Sequence, residues 1–136
     1  MAKLVNLQVH TPYRLFFSGA VETVVADLAD GQIGVRADHS PFIAPLTTSV
    51  LRILDSEGNW KEAAVTEGVM EVNEDGIVVL SGAAEWPEEI DRDRALKAKE
   101  HAEAELADTQ FVFDTLRTKA RLARANNRLA VKDHSK

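Results

Sequence analysis

All seven glycines and all four prolines of this 136-residue chain lie in residues 1–87, and none follows Pro87. In a helix interior glycine costs about 1 kcal/mol and proline about 3 kcal/mol relative to alanine, and both residues punctuate turns. The chain therefore divides into a turn-rich first part and a second part, from Glu88 onward, where nothing interrupts a helix. In the first part short apolar or alternating runs recur between breakers, as in an all-β sandwich or barrel. Strands are expected near residues 4–10, 14–17, 21–28, 32–36, 49–54, 60–67, 69–73 and 76–81. Thr11-Pro12, Ser18-Gly19, Asp30-Gly31, Ser56-Glu57-Gly58 and Glu74-Asp75-Gly76 separate them. Asp75-Gly76 lies between two apolar runs and marks a hairpin. Residues 37–46 carry Pro41 and Pro45 and read as a structured loop with short extended pieces.

Beyond Pro87 the acidic residues Glu88, Glu89 and Asp91 lie where a helix N-terminus favours negative charge, with Asp91 as the N-cap. A first helix is expected over 91–106, with Ala95, Ala98, Ala102 and Leu106 on one face. A turn near 107–110 leads to a second helix over 111–131, whose main apolar stripe reads as Phe113, Leu116, Ala120 and Ala123. Each helix would be roughly 25–30 Å long at 1.5 Å per residue, and the simplest packing is an antiparallel hairpin. Arg117, Arg121, Arg124 and Arg128 are spaced 4, 3 and 4, so at about 100° per residue they share an arc of about 60°. Phe111, Leu122 and Leu129 occupy a different side. Two readings of this ridge stand together: a solvated flank with the second apolar side at rest on the sandwich, or an adhesive surface.

The net charge of −6 is unevenly distributed. Residues 1–88 hold 5 basic and 13 acidic residues, and residues 89–136 hold 11 and 9. An acidic β region repels nucleic acid, while the basic clusters of the second part suit an acidic protein surface or a phosphate. With no cysteine, disulfides and thiolate chemistry are excluded. No apolar run approaches the ~20 residues of a membrane span, and the start of the chain alternates like a strand rather than a signal peptide. The four histidines have no metal-ligand spacing, and no nucleophile elbow, Walker loop or dinucleotide fingerprint is present. The expectation is a non-enzymatic chain.

Four motifs in order carry a resemblance. Gly31-Gln32-Ile33-Gly34, followed by His39-Ser40-Pro41, resembles a signature of the F-type ATP synthase epsilon subunit. Phe17-Ser18-Gly19, Glu67-Gly68-Val69-Met70-Glu71-Val72 and Ile90-Asp91-Arg92-Asp93-Arg94-Ala95 are similar to that family too. The resemblance spans essentially the whole chain. It implies an α+β fold: an N-terminal all-β sandwich of about ten strands (residues 1–87) followed by a C-terminal antiparallel two-helix hairpin (88–136). It also implies a rotor-stalk subunit bound to the gamma subunit and the membrane rotor ring, on the cytoplasmic face of a bacterial membrane. Such a subunit couples ion flow to ATP synthesis without bond chemistry. Its mobile hairpin inhibits hydrolysis when extended toward the catalytic alpha/beta hexamer.

Site residues follow from the same resemblance. Gln32 and His39 would face the rotor ring, although the family often has an acid at Gln32; a loop-stabilising hydrogen bond is the other reading of His39. No cofactor is required. A regulatory ATP would be held by Glu85, Ile90, Asp91, Arg94, Ala95, Arg124 and Arg128, with His101 at a position that is basic in ATP-binding members. The plainer reading makes Asp91 a helix cap and gives Arg94 a local ion pair. Arg117, Arg121, Arg124 and Arg128 would meet the catalytic subunits. The alternative function is a free-standing β-sandwich ligand-binding module that dimerises through its hairpin.

Overall fold

The computed structural model describes residues 3–108 and 112–135, excluding the side chains of Val112 and Phe113. It forms two units, residues 1–85 and 86–136. The first contains nine strands among the described residues: β1 (Val5–His10), β2 (Leu15–Leu28), β3 (Gly31–Val35), β4 (Phe42–Leu46), β5 (Ser49–Asp55), β6 (Trp60–Val65), β7 (Gly68–Asn73), β8 (Gly76–Ser81) and β9 (Ala84–Glu85). The second contains helices α1 (Arg92–Asp108) and α2 (Val112–His134), preceded by a single 3₁₀ turn at Pro87–Glu89.

Strand order runs β1-β8-β7-β4-β2-β5-β6-β9, with β3 on β2. β1 also pairs with β2, from Val5 opposite Val21 to His10 opposite Leu15. β2 thus serves both layers of the sandwich. Its first half pairs with β1, and its second half pairs with β3 and β5. The register shifts between Val21 and Thr23, where the strand passes from one set of partners to the other. Thr23 and Val24 are consequently both buried in succession. Two short strands were expected here, split at Ser18-Gly19. Gly19 instead sits inside the ladder opposite Leu7, in a conformation that needs no turn.

The apolar alternation puts Leu7, Val9, Val24, Val35, Ile53, Val65, Met70 and Val79 fully inside. At about 25 cal/mol per Å² of apolar area removed from water, such side chains dominate the stability of this unit. Residues 42–46, in a stretch expected as a structured loop with short extended pieces, form β4, antiparallel to β7 from Phe42–Val72 to Leu46–Gly68. Pro45 removes a ladder donor, and its neighbour Leu46 reaches only the last residue of β2. The β7–β8 hairpin turns at Glu74-Asp75, and Asn73 Oδ1 accepts from the Asp75 N–H at 2.8 Å. Gly76 closes this turn with φ +139°, and a Cβ there would lie 2.5 Å from the Asn6 carbonyl oxygen.

In the helical unit Asp91 caps α1, its Oδ1 accepting from the Arg94 N–H at 3.1 Å. α1 and α2 pack antiparallel: Arg92 Nε lies 3.0 Å from Asp133 Oδ1 at one end, and Arg121 lies 2.9 Å from Glu105 Oε2 toward the other. On α1, Ala95 and Ala102 are buried and Leu106 half-buried, but Ala98 is exposed. Lys99 takes the place beside them, because it lies closer than Ala98 to the angular centre of the seam and its aliphatic stem can cover apolar surface.

The expected stripe of α2 is not its main seam. Leu116 is 63% exposed, Ala123 is exposed and Ala120 is half-buried, while Thr118, Ala125 and Leu129 are buried and Leu122 is half-buried; Val131, near the end of the helix on the side of the expected stripe, is wholly buried. At about 100° per residue the two sets face opposite ways around the helix. The seam was hidden because one of its members, Thr118, is polar and another, Ala125, is weakly apolar. Phe111 lies outside the described residues, as does the side chain of Phe113.

Candidate functional site

The outward surface of the β1-β8-β7-β4 layer breaks the usual rule that such faces are polar. Registry places Pro45, Val69, Leu80, His10 and Leu15 in one row across β4, β7, β8, β1 and β2. Val69 is 39% exposed, Leu80 52% and Leu15 53%. Ile43, two residues from Pro45 on the same face, is 70% exposed. Met70, Val79 and Val9 alternate with this row and are wholly buried, so their outward neighbours must point away from the core. At about 4.8 Å between strands the row is roughly 19 Å long. Its polar member, His10, donates from Nε2 to Gln8 Oε1 at 3.0 Å when that nitrogen carries the proton. A shallow hollow of about 440 Å³ runs along it, bounded by His10, Pro12, Gly68, Val69 and Leu80.

Gln32 and His39 have separate partners. Gln32 lies at the start of β3 opposite Asp27, donating from Nε2 to Asp27 Oδ1 at 3.0 Å. His39 follows the far end of β3, about 10 Å from Gln32 along the strand plus four residues of loop. Its Nδ1 is 2.8 Å from the Ser40 carbonyl oxygen, and its ring meets Phe42 edge-on at 5.3 Å. These contacts hold the His39 ring against its own loop. Asp27 places a carboxylate across the ladder from Gln32.

In the helical unit, Ile90 and Ala95 are 4% and 3% exposed, so their side chains serve packing. Asp91 is the cap of α1, and Arg94 is exposed. Arg124 and Arg128 are half-buried on α2, whereas Arg117 and Arg121 are exposed. Glu85 ends β9, opposite Ala64 in the β unit. His101 Nε2 is 2.9 Å from Glu105 Oε1 on the next turn of its own helix. Arg121 Nη1 is 2.9 Å from Glu105 Oε2, with 42% of the arginine side chain exposed. Among the described residues no group of three or more His, Cys, Asp or Glu could hold a metal ion.

Comparison with known proteins matches both units in order. The ATP synthase Delta/Epsilon chain beta-sandwich domain matches residues 4–87, and the Delta/Epsilon chain long alpha-helix domain matches residues 88–133. This chain belongs to the ATP synthase delta/epsilon family. It is 43% identical over 131 residues to the ATP synthase epsilon chain of Caldanaerobacter subterraneus subsp. tengcongensis, covering 96% of this chain and 95% of that relative. To the epsilon chain of Caldicellulosiruptor saccharolyticus it is 47% identical over 124 residues, covering 91% and 90%. Its fold matches a chain in the structure of the Euglena gracilis mitochondrial ATP synthase OSCP/F1/c-ring, with a TM-score of 0.82 and 20% identity over 93% of this chain and 80% of that one.

The exposed apolar row is a surface that sequence reading missed. A signal was present: Ile77-Val78-Val79-Leu80 and Gly68-Val69-Met70 are apolar on both strand faces, where a solvated sheet would alternate. Such a row can bind another protein by excluding water, with the His10–Gln8 pair fixing orientation. It offers no nucleophile or metal set.

Proposed function

We propose that this delta/epsilon family member is the non-catalytic central-stalk subunit of an F-type ATP synthase. It docks on the gamma subunit and the rotor ring at the cytoplasmic face of a bacterial membrane and couples ion flow to ATP synthesis. The observation that carries this reading is the exposed apolar row of Val69, Leu80 and Leu15 with Ile43 beside it. Exposed apolar patches of this kind mark protein interfaces. Gamma is assigned to this row, and the loop at His39 with the Asp27–Gln32 pair is assigned to the ring. No helix among the described residues is long and apolar enough to cross a membrane, so attachment is by docking. The test is copurification. The wild-type chain brings down gamma and the catalytic subunits stoichiometrically, and Val69→Asp with Leu80→Asp loses them while the chain stays folded by circular dichroism. A wild-type chain that runs alone or as a dimer would overturn the proposal and favour the free-standing module.

The hairpin is assigned the regulatory half. When α2 leaves α1, Arg117, Arg121, Arg124 and Arg128 face an acidic segment of the catalytic hexamer and ATP hydrolysis stops. Regulatory ATP holds the hairpin closed through Asp91, Arg94, Arg124 and Arg128, since guanidinium groups pair well with phosphate. A ligand that binds only the closed state shifts the population toward it. Deleting residues 88–136 relieves inhibition of the assembled enzyme, and unchanged hydrolysis refutes the regulatory reading. Calorimetric titration of the chain with ATP gives heat that Arg124→Ala and Arg128→Ala reduce; no heat at millimolar ATP refutes the nucleotide site.

A further inference from the structure

Glu105 is the hub of a polar cluster inside the hairpin. Its Oε2 lies 2.9 Å from an Arg121 guanidinium nitrogen and accepts from Thr118 Oγ1 at 3.3 Å, while its Oε1 faces His101 Nε2 at 2.9 Å. Thr118 is only 3% exposed, so its hydroxyl depends on a protein partner. Arg121 and Glu105 keep 42% and 36% of their side chains exposed. Asp108, Asp114 and Arg117 line the same groove. The cluster therefore joins α1 to α2 through one carboxylate whose two oxygens are both used.

We infer that Glu105 is an internal competitor for Arg121: in the closed hairpin it occupies the guanidinium that the extended hairpin offers to an acidic partner. The inference rests on the proposed regulatory role of the hairpin, but the clasp itself is a property of the isolated chain. Opening the hairpin separates Arg121 from Glu105 and leaves the Thr118 hydroxyl to find water. An acidic partner must then replace Glu105 before it gains anything from Arg121. Within the arginine ridge, Arg121 is thus committed to α1 through Glu105.

Hydrogen exchange on the full chain separates the two layers of this claim. Glu105→Gln and Arg121→Gln each speed exchange of the α2 amides by about 2- to 5-fold relative to the β7–β8 amides, the range of a partly exposed ion pair. The double variant exchanges no faster than either single one, because both remove the same interaction. Glu103→Gln on the exposed side of α1 leaves exchange unchanged. Exchange in Glu105→Gln equal to wild type, or single effects that multiply in the double variant, overturns the clasp. In the assembled synthase, Glu105→Gln strengthens inhibition of hydrolysis by a similar factor. Faster exchange without stronger inhibition overturns the competitor role of Glu105. If deletion of residues 88–136 also leaves hydrolysis unchanged, it is the regulatory reading beneath it that fails.

Discussion

Replacing Leu80 by alanine tests the docking row quantitatively. Leu80 lies at the centre of the row, between Val69 on β7 and His10 on β1, and 52% of its surface is open to water. Fully burying a leucine side chain contributes about 1.5–3 kcal/mol, so the half still exposed leaves about 0.8–1.6 kcal/mol for a partner to recover. Loss of that contribution weakens binding of the gamma subunit by about 4- to 15-fold. The chain has no cysteine, so a single Glu57→Cys in the β5–β6 turn takes a fluorophore without side reactions. Titration with purified gamma then gives the dissociation constant, and thermal melting of the same samples reports folding. A dissociation constant within twofold of wild type for a folded Leu80→Ala variant refutes the reasoning, since no other side chain on the row is so placed to be covered on all sides.

Three further outcomes are expected. Gly76→Ala forces a side chain into positive φ and within 2.5 Å of the Asn6 carbonyl oxygen, and lowers stability by about 1–3 kcal/mol in urea unfolding. Asp91→Ala removes the cap of α1, costs about 1 kcal/mol, and speeds amide exchange in the first turn of that helix while leaving the strands unaffected. Hydrogen bonds from the Asn59 N–H, and then the Glu57 N–H, hold the Asp55 carboxyl below its ordinary range, partly offset by desolvation. A lowered folded-state value contributes stability above the unfolded value that is lost as pH falls through the folded one. Acid unfolding therefore begins at lower pH in wild type than in a chain with Asp55→Asn, whose turn lacks that contribution at every pH, and the difference in midpoint stability between them shrinks below pH 4.

The division of the chain was legible because glycine and proline act locally. The Asp91 cap and the Asp75-Gly76 hairpin were legible for the same reason, each resting on a hydrogen bond or a backbone angle within a few residues. β2 was misread as two strands because Ser18-Gly19 has turn-forming chemistry that the ladder with β1 overrides. β4 was read only as a short extended piece of a loop because Pro41 and Pro45 hid a full ladder with β7, in which Pro45 is tolerated. The buried seam of α2 at Thr118 has a tertiary cause. Thr118 is buried because Glu105, thirteen residues away on another helix, accepts its hydroxyl. Asp91 was read correctly as a cap, whereas a row built from one residue on each of five strands shows in the sequence only indirectly, as the runs at 68–70 and 77–80 that fail to alternate.

The long second strand gives the β unit a mechanical property. In many sandwiches the two layers adhere only through side chains and can shear when dragged from one side. Here Leu15 sits on the apolar row while Asp27, on the same fourteen-residue strand, faces Gln32 near the opposite layer. A twisting force applied at one surface is thus carried to the other along unbroken covalent backbone, as a drive pin carries it between two plates.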